Sequence, residues 1–202
     1  MRELISQGEL ESRLDDLAGE INADYAGVDL LNLIIVLRGG CFFGIDLAKR
    51  LTMPCRLDYI RVTSYSGTES TGAVSLISDI KTDIRNQPVL VIDDIVDTGF
   101  TMAWVLRYLE LKEPRSVRVA TLLDKPSRRI HEVPINYTAF IVPNVFVAGY
   151  GLDGLDDTMA NIPRIVAVQG DEEGEAEVPA RATPLPAGPL ASAAATASGH
   201  SS

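Results

Sequence analysis

Three carboxylates fall within five residues of the segment Val89-Leu90-Val91-Ile92-Asp93-Asp94-Ile95-Val96-Asp97-Thr98-Gly99-Phe100-Thr101. The apolar run ahead of them reads as a strand buried on both faces, and the residues after Gly99 as the start of a helix. A strand end that meets a helix N-terminus is where open α/β sheets take ligands. The hydroxyls and backbone N–H groups of Thr98 to Thr101 can cup a phosphate at the positive end of that helix. A bare phosphate would not want three acids beside it. The combination instead suits a ligand with a phosphate at one end and vicinal hydroxyls, or hydroxyl-bound Mg²⁺, at the other: a phosphorylated ribose. A strand, turn and helix with solvated carboxylates would explain one Asp but not this whole ordered string. Three acids in one loop repel, so at least one becomes a better proton acceptor, as a general base must be; residue types alone do not say which.

The rest of the chain supplies elements that can hold such a site. Ser6 and Glu9 form a capping box, and Leu10, Leu14, Leu17, Ala18 and Ile21 follow at helical spacing, so an amphipathic helix is predicted to open the protein. Leu31 to Leu37 is a short apolar run that stops at Arg38-Gly39-Gly40, after which Phe43, Leu47 and Leu51 recur every four residues: strand, glycine turn, helix. Cys55 to Val62 predicts a strand and Thr63 to Gly72 a long mobile loop. Met102, Val105, Leu106 and Leu109 mark a helix, and Val117 to Leu123, Tyr137 to Val142, Val145 to Ala148 and Ile165 to Val168 four more strands. Strands alternating with helices imply an α/β fold with a mainly parallel twisted sheet flanked by helices. One domain is expected over residues 1–169, and the acid-, Pro- and Ala-rich residues 170–202 are expected to be a disordered tail.

Charge and composition remove several classes. The 202 residues carry a formal charge of −10, and five acids in the tail against Arg181 account for four of those ten, so the body is acidic in its own right. That opposes nucleic-acid binding, which needs a basic surface. No stretch approaches the apolar length of a membrane span, and the first residues lack the apolar core of a secretory signal, so a cytoplasmic protein is expected. Cys41 and Cys55 have neither metal-type spacing nor a disulfide framework around them and read as free thiols.

The long motif resembles the signature of the type I phosphoribosyltransferases, and the wider sequence from about Leu33 to Val168 resembles the hypoxanthine-guanine branch of that family. The resemblance implies that family's fold with a small hood region, and Mg²⁺-dependent transfer of ribose 5-phosphate from phosphoribosyl pyrophosphate to N9 of a 6-oxopurine. Asp93 and Asp94 would hold the ribose hydroxyls, partly through Mg²⁺, and Asp97 would be the general base near purine N7. Thr98, Gly99, Phe100 and Thr101, with the Asp97 backbone, would bind the 5′-phosphate. Leu37-Arg38-Gly39 matches the pyrophosphate loop, with Arg38 where many relatives carry Lys; taken alone, so short a motif is also what any tight turn needing Gly would show. Ser64-Tyr65 begins the match to the flexible lid, for which a surface hairpin loop is the plainer alternative. Lys125 matches the lysine that donates to the purine 6-oxo group, which favours hypoxanthine, guanine or xanthine over adenine. Phe146 would stack on the base, the Val147 backbone would bond its edge, and Asp153 would ligate a second Mg²⁺. A homodimer or homotetramer is also implied.

One departure stands out. Relatives usually carry an Arg that contacts pyrophosphate near the position of Met159, whereas no base falls between Asp153 and Arg164 here. That opens a rival reading: a catalytically weak sensor that binds the donor or nucleotides on the same fold. An RNA-binding regulator on this fold is a third class, opposed by the acidic body and by Asp97. Gly149-Tyr150-Gly151-Leu152-Asp153-Gly154 fits the GxGxxG pattern, but a dinucleotide site needs a helix to follow and Pro163 limits one.

Overall fold

The computed structural model describes residues 1–64, 74–168 and 180–181. Its main sheet has seven strands in the order β10-β7-β6-β5-β2-β3-β4. The central five, β7 (Tyr137–Ile141), β6 (Ser116–Asp124), β5 (Pro88–Val96), β2 (Leu31–Leu37) and β3 (Cys55–Ser64), run parallel, and β4 (Val74–Ser78) and β10 (Ala180–Arg181) pair antiparallel at the edges. Alternate side chains of the central strands point to opposite faces. Leu33, Ile35, Leu90 and Ile92 pack beneath α1 (Gln7–Asp24) and α2 (Gly40–Ala48), while Ile34, Val36, Val89 and Val91 pack beneath α3 (Phe100–Glu110). Burial on both faces is why these strands read as unbroken apolar runs.

The predicted helices form for the predicted reasons. At the start of α1 the Glu9 N–H donates to Ser6 Oγ at 3.3 Å and the Ser6 N–H donates to Glu9 Oε2 at 2.8 Å, a reciprocal cap. All five predicted core residues of α1 are buried, and Arg13 ties its polar flank to β7 through Thr138 and Ala139 carbonyls at 2.8 and 3.0 Å.

Several expectations are corrected. The chain opens on a strand, β1 (Arg2–Ile5), which pairs with β9 (Ile165–Ala167) and through it with β8 (Val147–Ala148), making a separate three-stranded antiparallel sheet, the hood. Four residues are too few for a strand period to show. Leu51 lies beyond the end of α2, and Val145 and Phe146 precede β8 rather than belonging to it. Thr63 and Ser64 end β3, and β4 lies just beyond the predicted loop as a mostly exposed edge strand with no buried face to signal it. Tyr65 and the rest of that loop lie outside the described residues. So does most of the predicted tail, but Ala180 and Arg181 pair with Ile141 and Phe140, covering part of the otherwise open edge of β7.

Candidate active site

β5 ends at Val96, flanked by β2 and β6, so Asp93 to Thr98 emerge from the middle of the main sheet. Asp93 is buried and Asp94 half-buried, and the Asp94 N–H donates to Asp93 Oδ1 at 3.1 Å. Burial, and then the neighbouring Asp94 charge, push the Asp93 carboxyl well above the usual carboxylate range; burial raises Asp94 too, with Asp153 contributing. Among the described residues neither acid forms an ion pair with Lys or Arg. Two buried carboxyls that hydrogen-bond each other and lack a counter-charge would ionise together only if hydroxyl donors or a cation met them.

The turn between β2 and α2 lies directly on this pair. The space a side chain at Gly39 would need is filled by the Asp94 carboxylate, and a side chain at Gly151 would meet the Gly39 carbonyl oxygen at 2.6 Å. The Leu37–Arg38 peptide is cis. Arg38 reaches across the cleft, its Nη2 2.7 Å from Asp153 Oδ2 and 3.9 Å from Asp157 Oδ1. The structure therefore brings together Arg38, Gly39, Asp94 and Asp153, which sequence had tied only through resemblance.

Beyond the acids, Gly99 adopts φ +83° and caps α3, and a side chain there would strike the His131 carbonyl. The first-turn N–H groups of α3 have no intrahelical acceptor, and that of Phe100 donates instead to Thr98 Oγ1 at 3.5 Å, a long bond that an anion could replace. Thr98 is fixed through its carbonyl, which accepts from the Ile130 and His131 N–H groups at 3.0 and 2.9 Å. The His131 ring packs on Phe100 with centroids 5.1 Å apart.

Lys125, just past β6, is 6% exposed. Its N–H donates to the Val96 carbonyl at 3.0 Å and its Nζ to the Val145 carbonyl at 2.7 Å, leaving two ammonium donors. Burial lowers its pKa, opposed by the Asp97 charge and reinforced by Arg128. Phe146 is 46% exposed, while buried Val147 is committed to the hood by its pairing with Ala167.

Four residues of the site had no assigned role in the sequence reading. Arg128 Nε donates to Asp97 Oδ1 at 3.0 Å, Arg129 donates to the Asp97 carbonyl at 3.0 Å and pairs with Asp124, Asp157 flanks Arg38, and His131 backs Gly99. The basic pair Arg128-Arg129, so close behind Lys125 in an acidic protein, was the one available signal.

Residues 3–154 match the phosphoribosyl transferase domain family. This chain belongs to the phosphoribosyltransferase family. The hypoxanthine-guanine phosphoribosyltransferase of Mycobacterium avium is 42% identical over 157 residues, covering 74% of this chain and 77% of that protein. The hypoxanthine-guanine-xanthine phosphoribosyltransferase of Tritrichomonas foetus is 40% identical over 165 residues, covering 81% and 89%. The solved structure of Trypanosoma cruzi hypoxanthine phosphoribosyltransferase with the product IMP matches with a TM-score of 0.78 at 34% identity, over 84% of this chain and 94% of that one.

In this phosphoribosyltransferase the turn after Asp153 is acidic. Arg164, the nearest base that could replace an arginine near Met159, instead pairs with Glu3 of β1 at 3.3 Å. No helix follows the GxGxxG stretch among the described residues; Gly149 and Gly151 serve turns at φ +100° and +98°.

Proposed function

We propose that the protein transfers ribose 5-phosphate from phosphoribosyl pyrophosphate to N9 of a 6-oxopurine, hypoxanthine or guanine, giving the nucleotide and pyrophosphate as a purine-salvage step. The observation that carries this reading is that the Lys125 N–H bonds the Val96 carbonyl, which brings the buried Lys125 within the field of the Asp97 carboxylate at the end of β5, beyond the acid pair. Lys125 would donate to the 6-oxo oxygen and Asp97 would take the proton from N7 as N9 forms its bond to C1′ and the C1′–oxygen bond to pyrophosphate breaks. Phe146 would cover the base, the Val147 backbone would bond its edge, Asp97 to Thr101 would cup the 5′-phosphate, and Arg38 and Gly39 would receive the pyrophosphate.

The donor set fits Mg²⁺. Among the described residues no three acidic, His or Cys side chains form a ready cage, and Mg²⁺ commonly takes one or two carboxylates and completes its shell with substrate oxygens and water. Asp93 and Asp94 would hold one ion and Asp153 another; when bound, Mg²⁺ supplies positive charge against the pyrophosphate. From the family resemblance we also infer a homo-oligomeric enzyme of the cytoplasm; no helix among the described residues is long and apolar enough to cross a membrane.

The test is nucleotide formation from donor with hypoxanthine and guanine by wild type and Asp97→Asn. Removing a general base lowers kcat by about 100- to 10,000-fold. Turnover unchanged in the variant would overturn the role of Asp97. Arg38 held by two acids, with no base from 153 to 163, favours one second reading, a donor-binding sensor: tight donor binding with no turnover would support it.

A further inference from the structure

The segment after Lys125 grips the loop that carries Asp97. Lys125 leads into a 3₁₀ turn, Pro126–Arg128, closed by the Arg128 N–H donating to the Lys125 carbonyl at 3.0 Å. From that turn Arg129 holds the Asp97 carbonyl, and Ile130 and His131 hold the Thr98 carbonyl. These three contacts are to main chain. Arg128 alone among them takes the side chain, with Nε at 3.0 Å from Asp97 Oδ1.

The Asp97 side chain is 36% exposed and Arg128 44% exposed. A carboxylate this open to water can rotate, and a general base that must meet one purine nitrogen loses rate when it does. A guanidinium on one oxygen fixes the carboxylate plane and leaves the other oxygen to accept a proton. We propose that Arg128 is a positioning residue for Asp97, and that the 3₁₀ turn sets the spacing between Asp97 and Lys125, so that both ends of one purine edge are met together. This rests on the reading of Asp97 as the base. Arg129 is a different kind of residue: 9% exposed and paired with Asp124, it belongs to the packing of the turn.

The experiment uses the full chain as wild type, Arg128→Ala, Arg128→Lys, Asp97→Asn and Asp97→Asn with Arg128→Ala. Thermal midpoints and separate kcat and KM values for purine and donor are measured. Arg128→Ala is expected to lower kcat for hypoxanthine by about 5-fold, the most that an exposed ion pair can bias one carboxylate rotamer, with donor KM and the thermal midpoint near wild type. Arg128→Lys restores most of the loss, since an ammonium can still hold one oxygen. In the Asp97→Asn background Arg128→Ala adds about 2-fold or less, because the group it positions is gone.

Three results would overturn the proposal: Arg128→Ala turning over like wild type, a loss confined to donor KM, or effects that multiply in the double variant, which would place Arg128 on another group. If Asp97→Asn itself turns over normally, or wild type makes no nucleotide, the reading of Asp97 fails and takes the proposal with it. If only the Arg128 effects are missing, Asp97 stands and the proposal alone falls.

Discussion

Two regions face each other across the cleft and are held in different ways. Asp93 to Thr101 leave the centre of a seven-stranded sheet, fixed by β2 and β6 on either side and by main-chain bonds from Ile130 and His131. Asp153 to Arg164 lie between two strands of a three-stranded sheet and are held by their own turns, by main-chain bonds from Tyr150 and Gly151 to Ile162 and Ala160, and by ion pairs at the surface, Arg38 with Asp153 and Arg164 with Glu3. Central strands tolerate little change, whereas surface pairs contribute only about 0–1 kcal/mol and can be exchanged. The acidic turn at Asp153, Asp156 and Asp157 lies in the second kind of region, where no base falls between Asp153 and Arg164.

If that contrast is right, damage to the first region should dwarf damage to the second. Gly99→Ala forces a side chain onto φ +83° and into the His131 carbonyl. We expect about 100-fold lower kcat/KM for the donor, with about 1–2 kcal/mol lost in denaturant unfolding from the left-handed backbone alone. Asp153→Asn should raise donor KM about 10-fold, the usual scale for weakening a metal-site partner, with little change in melting. Equal effects of the two variants would erase the distinction.

The smaller effects sharpen it. The Tyr150 hydroxyl donates to Asp46 at 2.8 Å, linking the turn that bears Asp153 to α2, which follows directly on Arg38 and Gly39. Burial raises the Asp46 carboxyl, but the Lys49 and Tyr150 hydrogen bonds outweigh it, so the folded pKa lies below the usual value. A depressed folded pKa means that the contribution is present above the unfolded pKa of about 4 and lost as pH falls through the folded value. Melting followed from neutral to acidic pH should show that loss in wild type and less of it in Asp46→Asn. Smallest of all, Asp157→Asn removes one of two acids on Arg38 and should lower donor KM by about 2-fold in the same assay.

The legibility of the sequence follows the same division. Asp93 to Thr101 were readable because a doubly buried strand leaves an apolar run, and its sudden end in acids and Thr-Gly marks a ligand turn. The capping box at Ser6 and the faces of α1 and α3 were readable from helical periodicity. β1 and β4 were not, one too short for a period and the other an exposed edge whose residues alternate nothing. Within the candidate site, the grip of Arg128 on Asp97 and of Arg38 on Asp153 joins residues 31 and 115 positions apart, and only the folded chain puts them within reach.

The most direct test of the central reading is steady-state nucleotide formation from phosphoribosyl pyrophosphate and Mg²⁺ with hypoxanthine, guanine, xanthine and adenine in turn. A site built on a buried Lys125 donor should use one or more 6-oxopurines and reject adenine by at least about 100-fold, since an amino group offers that donor no acceptor. Comparable use of adenine, or no nucleotide from any base, would contradict the account.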